Sequence, residues 1–428
     1  MIRPEDNLLP IHSYVFFTDV IVVNWGSNDE KKKFALVSVK KINPNSGAQI
    51  KVIHPISQFI LEKYNSRGFN TMRKYSNHLV TFLNYIQAHK TELKMTSITQ
   101  LKLSHGVQFL NDLGNGKITG KKKAGGKRSA RTVSEYERTL TNFFSYLSKK
   151  GFLPEIPLNI FQKKEMHIGD SRVNYIESPF KGVIYPAPAK DKKEHLFPLK
   201  YFPLLLEISI LEAPRIALGI YMQFMGGLRC GEIVNLSRTQ VTKRIKNGDF
   251  LISIKDRNYR FDIKDHTSSE VKRVRYQEVF NIKDWLTVLF NDHVLLYRTI
   301  DGTDALFVNS HGKAMTAKSY NQYFNKVKTA FCDYLNVYGD ADDIVVANHL
   351  RTVDWSSHIG RGTFTNMIAE RTDNPFLIAY KRGDKKISSA LPYIAKTTRL
   401  RQKIEEAFSN LNNSYIPNLV ERRNKNGY

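Results

Sequence analysis

The sequence predicts a mainly α protein with small β parts. It divides into a strand-rich N-terminal segment (residues 1–53), a helical domain (54–167), a linker (168–195), a larger α+β domain (196–410) and a C-terminal tail (411–428). Three observations carry this. Short β-branched and aromatic runs fill the start of the chain, apolar residues recur at three- and four-residue steps from His54 onward, and a basic, strand-like stretch at 250–280 interrupts the second helical region.

In the first segment, Tyr14-Val-Phe-Phe, Val20-Ile-Val-Val and Phe34-Ala-Leu-Val-Ser-Val read as strands, with Gly26 to Lys33 and Asn43-Pro-Asn-Ser-Gly as turns. The segment is either a small separate module or an embellishment on the next domain. Ser66-Arg-Gly-Phe-Asn70-Thr then breaks one helix and starts another, with Asn70 as the expected N-cap. Met72, Tyr75, Leu79, Phe82, Leu83 and Ile86 form one apolar stripe along that helix. Val107, Phe109, Leu110 and Leu113 mark the next. Thr132-Val-Ser-Glu135 resembles a capping box ahead of Tyr136, Leu140, Phe143, Phe144 and Leu147. Pro179, Pro186 and Pro188, set among Gly, Lys and Asp, predict an extended linker.

Beyond the linker, helices are expected near 198–212 and 214–226. Phe250 to Lys255 and Tyr259 to Lys264 read as strands, Asp265-His-Thr-Ser-Ser as a turn, and Val271 to Tyr276 as a third strand. Helical patterning continues to about residue 410. The tail after it is expected either to pack on a neighbouring copy or to fray.

Composition narrows the function classes. The chain has 428 residues, 41% of them hydrophobic, and a net charge of +25. That is a globular composition with a strong preference for a polyanionic partner, and nucleic acid fits better than a membrane. The long apolar stretch from Tyr201 to Leu228 is interrupted by Glu207, Glu212 and Arg215, so no spanning helix is expected. Met1-Ile-Arg-Pro-Glu-Asp is no secretory signal, and Cys230 and Cys332 stand far apart without metal-ligand spacing. A cytoplasmic protein without a structural metal is the expectation.

Lys117 to Arg131 is a run of lysine and arginine alternating with Gly, Ser and Ala, and it contains no acid. Such a run is either a solvated flexible loop or a phosphate-backbone contact that orders on DNA. The net charge favours the second, with Lys121, Lys122, Lys123, Lys127, Arg128 and Arg131 as the contact residues.

Three short segments carry the chemistry: Gly226-Gly-Leu-Arg229-Cys-Gly-Glu232-Ile, His358-Ile-Gly-Arg361-Gly-Thr-Phe-Thr, and Ser389-Ala-Leu-Pro-Tyr393-Ile-Ala. Exchange of phosphodiesters needs a nucleophile, cations on the phosphate, a base and an acid. Arginine suits the cation role because its planar fork pairs with two phosphate oxygens and stays charged. Arg229 and Glu232 are three apart, so they share a helix face, and the carboxylate can orient the guanidinium. His358 and Arg361 have the same spacing. Taken singly, each has a plainer reading: a surface Arg–Glu pair, a hydrogen-bonded structural His, and one tyrosine among 21.

In their order and spacing these segments resemble the tyrosine recombinase (phage-integrase-like) family, over about His54 to residue 410. The run Ser66-Arg-Gly-Phe-Asn70-Thr with Tyr75, Leu79 and Phe82 resembles the opening of that family's core-DNA-binding domain. A partial look-alike of the second segment, His349-Leu-Arg351-Thr, is one residue short between its His and Arg and too far from Tyr393. The resemblance implies a helical core-DNA-binding domain followed by an α+β catalytic domain. It also implies a site-specific recombinase of a mobile element or phage, of integrase or excisionase type, that holds double-stranded DNA between those domains. Tyr393 would attack the phosphate and form a 3′-phosphotyrosyl link, Arg229 and Arg361 would hold the non-bridging oxygens, and His358 would assist proton transfer. A lysine on a β-hairpin would protonate the 5′-oxygen; Lys264 fits that position best, with Lys272 as the alternative. The bond energy stays in the phosphotyrosine, so neither a cofactor nor a metal is implied. Strand exchange by this chemistry implies a homo-tetramer on DNA.

One residue departs from the family pattern. Asp384 follows Gly383 where a His or Trp is usual, nine residues before the tyrosine. An ionised carboxylate cannot donate a hydrogen bond to a phosphate. A like charge at about 5 Å and an effective dielectric of about 20 costs on the order of 3 kcal/mol, about a hundredfold in rate. Pairing with an arginine, or protonation, would remove that cost. Asp384 therefore supports an alternative: a DNA-binding transcriptional regulator on the same fold, with its catalysis reduced or lost.

Overall fold

A computed structural model describes residues 14–24, 31–42, 49–66, 68–118, 127–168, 171–187, 194–243, 248–263, 269–370, 372, 374–382, 408, 411 and 413–425. The chain forms two compact units, Met1–Lys190 and Asp191–Tyr428.

The first unit opens with an antiparallel sheet in the order β1 (Tyr14–Asn24), β2 (Lys31–Ile42), β3 (Gln49–Ile53). It is an embellishment on the helical domain and not a separate module. Phe34, Leu36 and Val37 of β2 share one core with Phe59, Leu79 and Phe82. β3 pairs only with residues 38–42 of β2, so the rest of that edge needs other partners. Serines supply them. Ser57 Oγ accepts from Val37 N (3.0 Å) and donates to Val37 O (2.7 Å), and Ser76 Oγ donates to Ala35 O (2.7 Å).

Four helices follow: α1 (Ser57–Tyr64), α2 (Phe69–Ala88), α3 (Leu103–Gly114) and α4 (Ala130–Lys149). Phe59, Phe82, Phe109, Phe143 and Phe144 are fully buried among them. Two expected caps lie elsewhere. The N-cap of α2 is Gly68, which places Asn70 inside the first turn. The N-cap of α4 is Ser129, whose hydroxyl accepts from Thr132 N, so Thr132 is the capped residue and not the cap. Glu135 instead pairs with Lys74 of α2 at 2.8 Å. Part of the span expected to be a linker is structured: β4 (Lys163–Ile168) and β5 (Ser171–Ile176) form a hairpin, Phe180 enters the core, and Tyr185 donates to the Glu137 carboxylate.

The second unit is built around α6 (Pro214–Gly226), whose residues from Ile216 to Gly226 are all buried. A helix apolar on every side belongs at a core centre. Around it stand α5 (Phe202–Glu212), the short α7 (Cys230–Ile233), α8 (Trp285–Leu296), α9 (Ala317–Tyr338), α10 (Ala341–Thr352), α11 (His358–Ala369), α12 (Pro375–Arg382) and α13 (Tyr415–Lys425). An antiparallel sheet of β6 (Val241–Lys243), β7 (Phe250–Ile254) and β8 (Arg275–Val279) flanks them. Among the described residues, no helix is long and apolar enough to cross a membrane.

The tail helix α13 packs within its own unit rather than fraying. Tyr415 donates to the Glu207 carboxylate, and Arg423, only 3% exposed, pairs with Asp292.

The expected strand from Tyr259 to Lys264 is absent over its described residues, 259–263. Side-chain bonds hold this segment in another course. Asn235 Oδ1 accepts from the backbone N–H of both Arg257 and Asn258, and Asn258 takes a left-handed φ of 48°. Tyr259 then donates to Asp304 (2.7 Å), and Arg260 donates to the Ala314 carbonyl (2.9 Å). The third strand also begins later than expected, at Arg275.

α6 ends at a glycine pair that geometry requires. Gly227 has φ +64°, and a Cβ there would stand 2.3 Å from the Phe364 ring. Gly302, in the same unit, has φ +74° and open space around it. Alanine should therefore cost about 1 kcal/mol at Gly302 and about 3 kcal/mol or more at Gly227. Urea melts of the two variants measure the difference, and equal midpoints would refute the packing account.

Candidate phosphate-binding site

The left-handed turn at Gly227 reverses the chain at the end of α6 and delivers Arg229, in extended backbone, as the N-cap of α7. Its side chain is 26% exposed. Glu232 lies one turn on and is 1% exposed. The carboxylate accepts from Arg229 twice, from the backbone N–H and from Nη1, both at 2.9 Å.

A second arginine closes on the same carboxylate. Arg275, at the start of β8, forks onto both Glu232 oxygens, with Nη1 at 2.7 Å and Nη2 at 3.1 Å. Bidentate pairs of this kind are the strong form of charge-assisted hydrogen bond. Burial alone would raise the Glu232 carboxyl, but the Arg275 hydrogen bonds overcome it, followed by the charges of Arg275, Arg229 and Arg361. The result is a value lowered to about 2.

Arg361 is 2% exposed, on the buried face of α11, and its Nη1 donates to the Gly227 carbonyl. The flanking glycines let α11 approach closely enough to bury it. A Cβ at Gly360 would meet Phe224 at 2.8 Å, and one at Gly362 would meet the His195 carbonyl at 2.0 Å. His358 is the first residue of α11 and is exposed, with its backbone N–H 3.4 Å from Ser356 Oγ. Beside this cluster, burial pushes the Cys230 thiol up to about 12, so it stays neutral and is a poor nucleophile.

The structure thus brings together Arg229, Glu232 and Arg361, and it adds Arg275. The strand period offered a signal for the addition. Arg275, Gln277 and Val279 alternate inward while Tyr276 is 70% exposed, and an arginine on an inward face requires an acid. Lys272 is exposed, just ahead of β8. Lys264, Asp384 and Tyr393 lie outside the described residues. In the first unit, Lys127 is exposed and Arg128 half-buried ahead of α4, while the side chain of Arg131, in its first turn, is 90% exposed and 3.9 Å from Glu135. Lys121, Lys122 and Lys123 lie outside the described residues. No group of three or more His, Cys, Asp or Glu placed to hold a metal occurs among the described residues.

No protein-family model matches the chain, and no curated protein does. Solved structures do. The Tn1549 transposon integrase (its residues 82–397) in complex with circular intermediate DNA is similar at 16% identity, with a TM-score of 0.50 over 82% of this chain and 98% of that one. The XerH site-specific recombinase bound to difH is similar at 17% identity, TM-score 0.47, over 81% of each chain. A lambda integrase (75–356) dimer bound to a COC′ core site is similar at 9% identity, TM-score 0.43, over 78% of this chain and 95% of that one. The chain has the tyrosine recombinase fold.

The lowered carboxyl of Glu232 has a stability consequence of definite sign. Its folded value lies below the ordinary 4.5, so the contribution is fully present above about pH 4.5 and drains away as the pH falls toward about 2. In urea unfolding, the stability gap between wild type and Glu232→Gln should narrow by on the order of 3 kcal/mol across that window. A gap independent of pH would show that the carboxylate is not held by its arginines.

Proposed function

We propose that the protein is a site-specific DNA recombinase that cuts and rejoins duplex DNA through Tyr393. The observation that carries this reading is the convergence of Arg229, Arg275 and Arg361 around the single carboxylate of Glu232. Such a site suits a phosphodiester and, more strongly, the extra charge of its transition state. The net charge of +25 and the fold shared with DNA-bound recombinases support DNA as the partner.

The steps balance without an external energy source. Tyr393 Oη attacks phosphorus, its proton passes to His358, and a 3′-phosphotyrosyl bond forms as the bond to the 5′-oxygen breaks. Lys264 or Lys272 gives that oxygen its proton. The 5′-hydroxyl of a second strand then attacks the same phosphorus and releases the tyrosine. Arg229 holds the non-bridging oxygens throughout, and the buried Arg361 adds its positive charge from within the unit. Exchange between two duplexes calls for four copies of the chain.

Asp384 favours the second reading, a DNA-binding transcriptional regulator with reduced chemistry. A pool of nicked duplexes of randomised sequence, enriched for binding to the protein, separates the two. Wild type should become covalently attached, because the nick lets the cleaved fragment diffuse away, and Tyr393→Phe should not. Tight, sequence-selective binding with no adduct from either would sink the recombinase and leave the regulator. Asp384→His should raise the adduct rate by up to about a hundredfold if the carboxylate opposes the phosphate charge. A fall in rate would show that Asp384 serves the site.

A further inference from the structure

Strand β8 does more than hold Glu232. Arg275 and Gln277 lie on the same, inward face of the strand, and they touch each other: Arg275 Nε donates to Gln277 Oε1 at 3.1 Å. Gln277 is 4% exposed. Its amide nitrogen donates to the Lys381 carbonyl in the last turn of α12 at 2.9 Å, with a longer contact to the Glu278 carbonyl at 3.3 Å. The bonds therefore run without a gap from Arg229 to Glu232, to Arg275, to Gln277, to the backbone of α12. A partly exposed ion pair, Lys381 to Glu278 at 2.7 Å, ties the same two elements alongside.

We infer that Arg275 and Gln277 form a positioning relay that sets the end of α12 in register with the arginine site. Lys381 precedes Tyr393 by twelve residues. The chemistry of the link is specific. Only a side chain that accepts on one side and donates on the other joins a guanidinium to a carbonyl. Turning the amide over would set NH2 against the Arg275 N–H and oxygen against the Lys381 carbonyl, so its orientation is determined by its neighbours. The relay deepens the proposed function, and its catalytic half rests on that reading. Neither residue touches the substrate; both act through what they hold.

Gln277→Glu tests it. An ionised carboxylate keeps the Arg275 bond and strengthens it, but it has no proton for the Lys381 carbonyl. Hydrogen exchange of the full-length protein should show residues 375–382 opening on the order of ten- to hundredfold faster, with α6 and β7 unchanged. On the enriched nicked duplexes, adduct formation should slow by a similar factor while binding affinity holds. The exchange effect should reverse as the pH is lowered, because a protonated carboxyl donates again. A merely structural weakening would not show that reversal. Gln277→Met, close in shape and without either bond, is the second variant, with the same loss of protection expected and no recovery at low pH. Wild-type exchange at 375–382 in both variants would overturn the relay. If wild type forms no adduct at all, the recombinase reading falls, and the exchange measurements still decide the relay by themselves.

Discussion

The second unit turns on a carboxylate that water barely reaches. Glu232 is 1% exposed and is shared by two arginines from different parts of the chain. A lone buried carboxylate would be strongly unfavourable, and removing one partner from such a set leaves an uncompensated charge. The elements carrying the partners are therefore obliged to meet: the turn after α6, the short helix α7 and the strand β8. Arg361 adds its charge from α11, and the glycines on either side of it let that helix close in.

The two family-pattern arginines also divide their duties. Arg361 is sunk in the core and tied to the carbonyl that ends α6, so it is a fixed charge. Arg229 is a quarter exposed, braced from behind by Glu232, and faces the solvent from the start of a helix. A charge at the surface backed by one below it makes a field that points outward without a flexible side chain having to search for its pose.

Local patterns in the sequence carried much of the fold. The stripe Met72, Leu79, Phe82, Leu83 and Ile86 is buried along α2, and the apolar run Ile216 to Met225 becomes the central helix. Arg229, Glu232 and Arg361 are legible because their spacing repeats a chemical requirement along one chain segment at a time. What was not legible depends on partners far away in sequence. Arg275 finds Glu232 across 43 residues, and Tyr259 is drawn out of a strand by Asp304 across 45. Caps moved for a local reason. Ser129 and Gly68 stand three and two residues ahead of the expected starts; at Ser129 the reason is its hydroxyl, which accepts from the N–H of Thr132.

The N-terminal sheet is mechanically continuous with the helices beneath it. Its central strand shares a core with α1 and α2, and serines from those helices bond its open edge. Among the described residues, the shared core and the serine bonds join sheet and helices directly. The sheet is thus a stiff outrigger and not a tethered arm: whatever load it takes is transmitted to α2 directly, with no slack to absorb it. The same seam covers the β2 edge at Ala35 and Val37, where an unpaired edge would otherwise invite pairing between copies.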